Sequence, residues 1–288
     1  MESATFPSHP RSGKHGVLEM TFERDERQRS ILRRLHRQTP IIVQQALYFD
    51  EQMPELPCVY ILSSGGPVVE GDSYSQSILL RHGACAHIST GAATKVAQMS
   101  GGEAVMHQRW QLDEDSYLEY LPEPTIPCRG ARWDVECEIQ IAPSATMFHS
   151  EIFLSGRRHS GERFCYGELN LRCNIRRPDG SLLFSERALI DPSRGELGQL
   201  GVMGDLEIFS TVMILSPADT SPSIESAIEP FIGGQTALAI HRLPNHAGLM
   251  CRIVGRESQD VKHLVRELCS QVRQRIKGRA LAADFPWR

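Results

Sequence analysis

The sequence predicts a mainly β protein, and three observations carry that prediction. Apolar residues alternate with period two through about fifteen short segments. Only two stretches, both in the C-terminal part, repeat their apolar residues at helical spacing. Strands and helices do not alternate along the chain, which argues against a Rossmann fold or an α/β barrel and predicts mainly antiparallel pairing.

The elements follow in order. Residues 1–15, rich in Ser, Pro and Gly, are expected to form a flexible tail, and 16–288 a single domain. Strands are predicted over 17–22, 41–49 and 58–62, the last uncharged and so buried on both faces. Further strands are predicted over 73–81, 85–99, 104–112 and 116–121, with the turn His82-Gly83 dividing the first two. In 133–141 the residues Trp133, Val135, Cys137, Ile139 and Ile141 share one face. Segments 147–154 and 164–176 continue the pattern, and Pro178-Asp179-Gly180 is a hairpin turn returning as 182–190. Segments 206–215, 237–243 and 248–254 complete the strands.

Of the two helices, the first is predicted over 222–232, capped by Ser221, with Pro230 counting against its full length. In the second, Val261, Leu264, Val265, Leu268, Val272 and Ile276 form one stripe, Ser258 caps the start and Gly278 ends it. Residues 23–38 are ambiguous: Ile31, Leu32 and Leu35 suit a helix, and six Arg raise the possibility of a nucleic-acid patch. Interspersed acids and the lack of an aromatic platform argue against that.

Composition excludes several function classes. Hydrophobic residues make up 41% and charged residues 23%, which is globular rather than disordered. A net charge of −4 gives no general pull toward nucleic acid or anionic membrane. Apolar runs are too short for a transmembrane helix, and the first residues lack the apolar core of a secretory signal. The eight cysteines include no Cys-x-x-Cys pair and read as reduced, packed thiols. Basic residues are 27 Arg and 4 Lys, and Lys95 stands alone in the middle of the chain.

Few motifs carry chemistry. No Walker loop, Gly-x-Ser-x-Gly elbow or His-Glu-x-x-His occurs. The glycine-rich stretch 63–72 lacks a phosphate-reaching Lys and opens no helix, so it reads as a tight loop. His82, Cys85 and His87 could offer N and S ligands to zinc or nickel, given a fourth ligand from elsewhere. Asp72, Glu119, Glu151 and Glu162 sit beside glycines or within apolar strands. Such carboxylates are usually paired with Arg, with Arg157 and Arg163 as candidates; the functional alternative is a hydrated path that hands on a divalent cation.

Four blocks in order resemble the urease accessory family called UreD, or UreH in some species. They are Ser64-Gly65-Gly66-Pro67-Val68-Val69-Glu70-Gly71-Asp72, Thr90-Gly91-Ala92-Ala93-Thr94-Lys95-Val96, Leu118-Glu119-Tyr120-Leu121-Pro122-Glu123-Pro124-Thr125-Ile126-Pro127, and Gly156-Arg157 with Gly161-Glu162-Arg163-Phe164, preceded by Glu151. Residues 251–255 and the last helix also fit, so the likeness spans roughly 16–288. Pro67 stands where the family usually has a third glycine, and Gly91 where it has glutamine.

The resemblance implies a large β-helix-like stack of antiparallel and mixed sheets with two helices, and strands rather than a helix over 23–38. It implies a non-enzymatic role in assembling the dinuclear nickel centre of urease, with no tightly bound cofactor and Ni2+ in transit. The implied partners are a helical UreF-like protein, through it a UreG-like GTPase, and the urease apoprotein, in the cytoplasm. Asp72, Glu119, Glu151 and Glu162 become candidates for the nickel path. The alternative, a metal-dependent or carbohydrate-acting β-sandwich enzyme, needs a convergent catalytic set that the spacing does not supply.

Overall fold

The computed structural model describes residues 13–195, 197–199, 201–282 and 285. Most of the expected tail lies outside the described residues, and the first strand opens at His15. Strands β1 (His15–Arg24) and β2 (Ser30–Gln38) form an antiparallel hairpin where sequence reading was ambiguous. β1 alternates buried and partly exposed residues because only one face meets the core. β3 is the pair Ile41–Ile42; the rest of the predicted 41–49 strand keeps only a bridge from Leu47 to Cys58.

The chain then winds as a solenoid through β4 (Cys58–Ser63), β5 (Ser73–Leu80), β6 (Cys85–Thr90), β7 (Thr94–Val96), β8 (Ala104–Leu112), β9 (Tyr117–Leu121), β10 (Thr125–Pro127), β11 (Arg132–Ile141), β12 (Thr146–Leu154) and β13 (Glu168–Arg176). Successive long strands fall alternately in two sheets. β5, β8, β11 and β13 stack in parallel on one wall. β4, β6, β9 and β12 stack in parallel on the other, while β7 and β10 pair at a corner. The predicted 85–99 strand is broken by that corner at Gly91-Ala92. A Cβ at Gly91 would meet Leu62 Cδ2 at 2.0 Å, so a larger residue there requires Leu62 to move.

Beyond β13 the chain turns antiparallel through β14 (Leu182–Ile190), β15 (Ile208–Leu215), the short α1 (Ser221–Glu225), β16 (Phe231–Ile232), β17 (Thr236–Arg242) and β18 (Gly248–Gly255), and ends in α2 (Ser258–Lys277). The first sheet runs β14-β13-β11-β8-β5-β1-β2 and the second β16-β17-β18-β15-β12-β9-β6-β4-β3. Pairing is therefore mixed. Reading the lack of crossover helices as mainly antiparallel pairing fails because each coil returns through the opposite wall, which stacks strands in parallel without any helix. The β-helix-like stack implied by the resemblance is what forms.

Two of the three apolar clusters among the described residues set the architecture. One fills the space between the walls, with Leu18, Phe22, Ile78, Trp110, Ile139 and Met147 among its members. The other lies on the outer face of the second sheet, where Val212, Ile214, Leu249 and Ile253 meet Val261, Val265, Leu268 and Val272 of α2. Each such side chain contributes about 1.5–3 kcal/mol when taken from water, which holds the helix on the sheet. α2 spans the predicted residues, but Glu257 rather than Ser258 is its N-cap residue. Gly278 closes it at φ 69° with its N–H on the Gln274 carbonyl at 3.0 Å. α1 stops at Glu225 instead of reaching 232, and Thr220 rather than Ser221 precedes it. Phe231 and Ile232 just beyond Pro230 are drawn into pairing with β17.

Candidate functional site

Alternation in β9 sends Glu119 to the outer face of the second sheet, under the C-terminal half of α2. His87 is its in-register neighbour on β6. Arg273 of α2 grips the Glu119 carboxylate with two hydrogen bonds, Nε to Oε1 at 2.7 Å and a terminal nitrogen to Oε2 at 2.6 Å, and bonds Asp50 with its other nitrogen. Tyr117 donates to Glu119 Oε1 at 2.6 Å, and His87 Nδ1 lies 2.8 Å from Oε2. Glu119, Arg273, Asp50 and His87 are all buried. Burial alone would raise the Glu119 carboxyl; the Arg273 charge and hydrogen bonds, with those of His87, outweigh it and hold the group far below the usual range. This cluster is a brace between the last helix and the coils.

Two more of the predicted carboxylates are likewise engaged. Asp72 is fully buried just before β5. It accepts from the Lys14 backbone N–H at 2.8 Å, the Val69 N–H at 2.9 Å and the Tyr74 hydroxyl at 3.0 Å, and pairs with Lys14 Nζ at 3.0 Å. Burial works against its ionisation, and these donors overcome it to lower its pKa. Lys14 Nζ also donates to the carbonyls of Gly65 and Pro67, so the glycine-rich loop turns oxygens toward a cation and is no phosphate cradle. Gly66 and Gly71 there have φ of 68° and 81°. Glu162 accepts from Arg157 Nε at 2.8 Å and from a second guanidinium nitrogen, and Arg157 holds its pKa down to about 2. Gly156 lets this loop close: a Cβ there would meet the Glu162 carbonyl oxygen at 2.1 Å. Gly161 ends the loop's single 3-10 turn at φ 69°. Arg163 pairs instead with Glu207. Lys95 is exposed on β7, in register with Ile126, and Pro122 follows β9.

Glu151 is different. It lies inside the solenoid and lines a cavity of about 40 Å³ with Cys137, Cys173, Glu186, Met213 and Arg252. That is room for a few waters or a small ion. Arg252 is engaged by Glu186 and Thr211, and Glu151 has no ion pair or hydrogen bond among the described residues. Burial, then the Glu186 carboxylate, push its pKa up to about 7, with Arg252 opposing.

The cavity belongs to a longer feature. Across the first wall Gln76, Gln108, Cys137, Cys173 and Glu186 occupy one register row on five neighbouring strands. Across the second wall Tyr120, His149, Met213, Met250 and His241 form the facing row. At the usual interstrand spacing each row is roughly 19 Å long. Gln108 Nε2 donates to the Tyr120 hydroxyl at 3.2 Å, bridging the two.

His82, Cys85 and His87 do not come together. His82 is exposed near Asp115, Cys85 is 3.2 Å from the Ser30 hydroxyl, and His87 serves Glu119. Among the described residues no three His, Cys, Asp or Glu side chains form a ready metal site. On the outer face of the first sheet lies an open polar groove of about 1130 Å³. Three of its four carboxylates are matched by neighbours, Asp134 by Arg172 and Asn170, Glu136 by His107 and Glu138 by Asn174, while Glu103 has no ion pair or side-chain hydrogen bond among the described residues. Sequence reasoning missed Asp50, Arg273 and the facing rows, since partners 154 and 223 residues apart leave no local signal.

The fold is a two-walled solenoid, braced by a helix, with polar and sulfur side chains and a small chamber between its walls. The family model described as UreD urease accessory protein matches residues 14–288. The chain belongs to that family. A protein named urease accessory protein UreD 2 from Brucella suis biovar 1 is 37% identical over 279 residues, covering 96% of this chain and 92% of the relative. UreD 2 of Methylorubrum extorquens is 40% identical over 282 residues, covering 96% and 90%. UreD 3 of Methylorubrum populi is 39% identical over 281 residues, with the same coverage. The relatives are named as accessory proteins, and the chain's role is accessory rather than enzymatic. No helix among the described residues is long and apolar enough to cross a membrane.

Proposed function

We propose that the chain serves urease maturation in the cytoplasm as a scaffold and nickel conduit. A UreF-like helical protein docks on it and brings a UreG-like GTPase, and nickel passes from that GTPase to the urease apoprotein. Nickel is transient cargo here, and the role calls for no resident cofactor, nucleic acid or membrane. The observation that carries the reading is Glu151. It is the one predicted path carboxylate left unpaired among the described residues, and it faces the interior cavity. A carboxyl with a pKa near 7 exchanges its proton for a cation at neutral pH and gives the cation up again by taking a proton back. Asp72, Glu119 and Glu162 would support the conduit by holding its walls, since each is committed to donors of its own.

Docking of the helical partner suits α2. One side of that helix is sunk in the sheet, while Asp260, His263, Glu267, Gln271 and Gln274 form an exposed polar flank. The test of the conduit is Glu151→Gln, co-produced with the accessory proteins and urease. Nickel per urease is expected to fall while complex yield holds. Undiminished nickel content would refute a route through this chamber.

A further inference from the structure

We infer that Cys137 and Cys173 form a peroxide-reactive dithiol in the wall of the interior chamber, which closes into a disulfide when hydrogen peroxide enters and reopens with thiol reductants. The pair stands on geometry of its own, whatever becomes of the nickel route. All the cysteines are free. Of those that lie in strands, only Cys137 on β11 and Cys173 on β13 face each other in register. Cys58 stands opposite His87, Cys85 opposite Tyr117, and Cys251 between Val212 and Ile240. In-register residues on neighbouring parallel strands are about 4.8 Å apart, inside the roughly 4.4–6.8 Å that a disulfide spans between Cα atoms. Parallel pairing holds the two Cα–Cβ bonds side by side rather than turned toward each other. The bridge therefore forms with strain and is readily reduced, as a switching disulfide is and a structural one is not.

The surroundings fit the oxidant. Both thiols line the cavity of about 40 Å³, which has room for a molecule of two oxygen atoms. Glu186 and Arg252 share that lining and are partly exposed, so the cavity is reached from outside. Cys173 is partly exposed and Cys137 is buried, so peroxide meets Cys173 first. The Cys173 thiol, and then burial, push the Cys137 thiol well above the ordinary range, which keeps it protonated and in reserve as the second thiol. Arg252, held by Glu186 and the Thr211 hydroxyl, places a cation in the lining, where the departing oxygen develops negative charge.

The reaction has two steps. The Cys173 sulfur attacks one peroxide oxygen, the O–O bond breaks, and the leaving hydroxide takes the Cys173 thiol proton and departs as water. The Cys137 sulfur then attacks the sulfur of the Cys173 sulfenic acid. An S–S bond forms, the S–O bond breaks, and the hydroxide leaves as water with the Cys137 proton. Two thiols are oxidised to one disulfide, and one peroxide is reduced to two waters.

The experiment treats the purified, reduced full-length chain with hydrogen peroxide, then alkylates it in denaturant and measures intact mass and a peptide map. A loss of about 2 Da, a linked peptide pair holding Cys137 and Cys173, and recovery of both thiols with dithiothreitol are expected. Cys137→Ser should leave a sulfenic acid at Cys173 that dimedone traps, and Cys173→Ser should slow peroxide oxidation of Cys137 by about tenfold or more. Cys251→Ser, in the core beneath α2, should bridge as the wild type does. The decisive map is made on the wild type, so a serine variant that fails to fold leaves the test intact. Both thiols still open to alkylation after peroxide, a bridge from either one to another cysteine, or sulfinic acid at Cys173 without a bridge would each overturn the assignment.

Discussion

Replacing Arg273 by Met tests whether the buried cluster braces the fold. Met fills most of the volume of the arginine stem but offers no donor to Glu119 or Asp50, both of which are inaccessible to solvent. Stranding one member of a buried pair costs about 3–5 kcal/mol, and here two carboxylates are stranded, which places the loss at the upper end of that range. At about 2–4 °C per kcal/mol the melting temperature should drop by roughly 10–20 °C. The pH dependence gives a sharper signature. In the wild type the Glu119 carboxyl sits below its unfolded value, so its contribution is present above the ordinary carboxylate range and is lost only as pH falls through it. In the variant, burial is opposed mainly by His87, the folded pKa rises above the unfolded one, and stability falls as pH rises. The deficit measured by thermal unfolding should therefore be greater at pH 8 than at pH 5. Adding Glu119→Gln to the variant should restore part of the loss. A deficit below about 1 kcal/mol at pH 8, or one equal at both pH values, would refute the brace.

Further outcomes are expected. Glu151→Gln should stabilise the protein at pH 8 by about 2–3 kcal/mol and do little at pH 4.5, because a carboxyl held near 7 against an ordinary 4.5 loses stability as pH rises through that window; equal melting temperatures at pH 8 would contradict the placement of Glu151. Gly156→Ala should destabilise by about 1–3 kcal/mol or more through its φ of 136° and the clash with the Glu162 carbonyl, read by chemical denaturation. Glu267→Arg with Gln271→Arg on the exposed flank of α2 should reduce co-purification with the helical partner while leaving the melting temperature within about 0.5 kcal/mol of the wild type; full retention of the partner would move the docking surface elsewhere. Far-UV circular dichroism should show a β-dominated spectrum, since among the described residues the α-helices are a 5-residue and a 20-residue segment.

What the sequence reveals depends on whether the information is local. Segment 104–112 matches β8, 182–190 matches β14, and 258–277 matches α2, because one buried face imprints its period on the chain. The break at Gly91-Ala92 was hidden within an apolar run that reads equally well as one strand or two. Parallel stacking was hidden because alternation specifies which face is buried and not the direction of the neighbour. The carboxylates were visible as anomalies in apolar strands, but only one partner was: Arg157 was legible as a neighbour of Glu162, while Arg273 lies 154 residues from Glu119 and leaves no local signal. Cys137 was placed on the inward face by alternation alone, yet its alignment with Cys173 and His149 depends on register set by three separate strand pairings.

The brace also governs the order in which the molecule can be completed during synthesis. Asp50 and Glu119 emerge from the ribosome long before Arg273, which follows them by 223 and 154 residues. Until then the outer face of the second sheet carries two unneutralised carboxylates beside uncovered apolar residues such as Val212 and Ile253. A nascent chain with all its coils formed is still an adhesive, charge-frustrated intermediate, and only the last helix to be translated resolves it. Ribosome stalling or premature termination within that helix would therefore yield an aggregating product rather than a shortened working one, and yield in the cell should depend on chaperones that shelter this face late in translation.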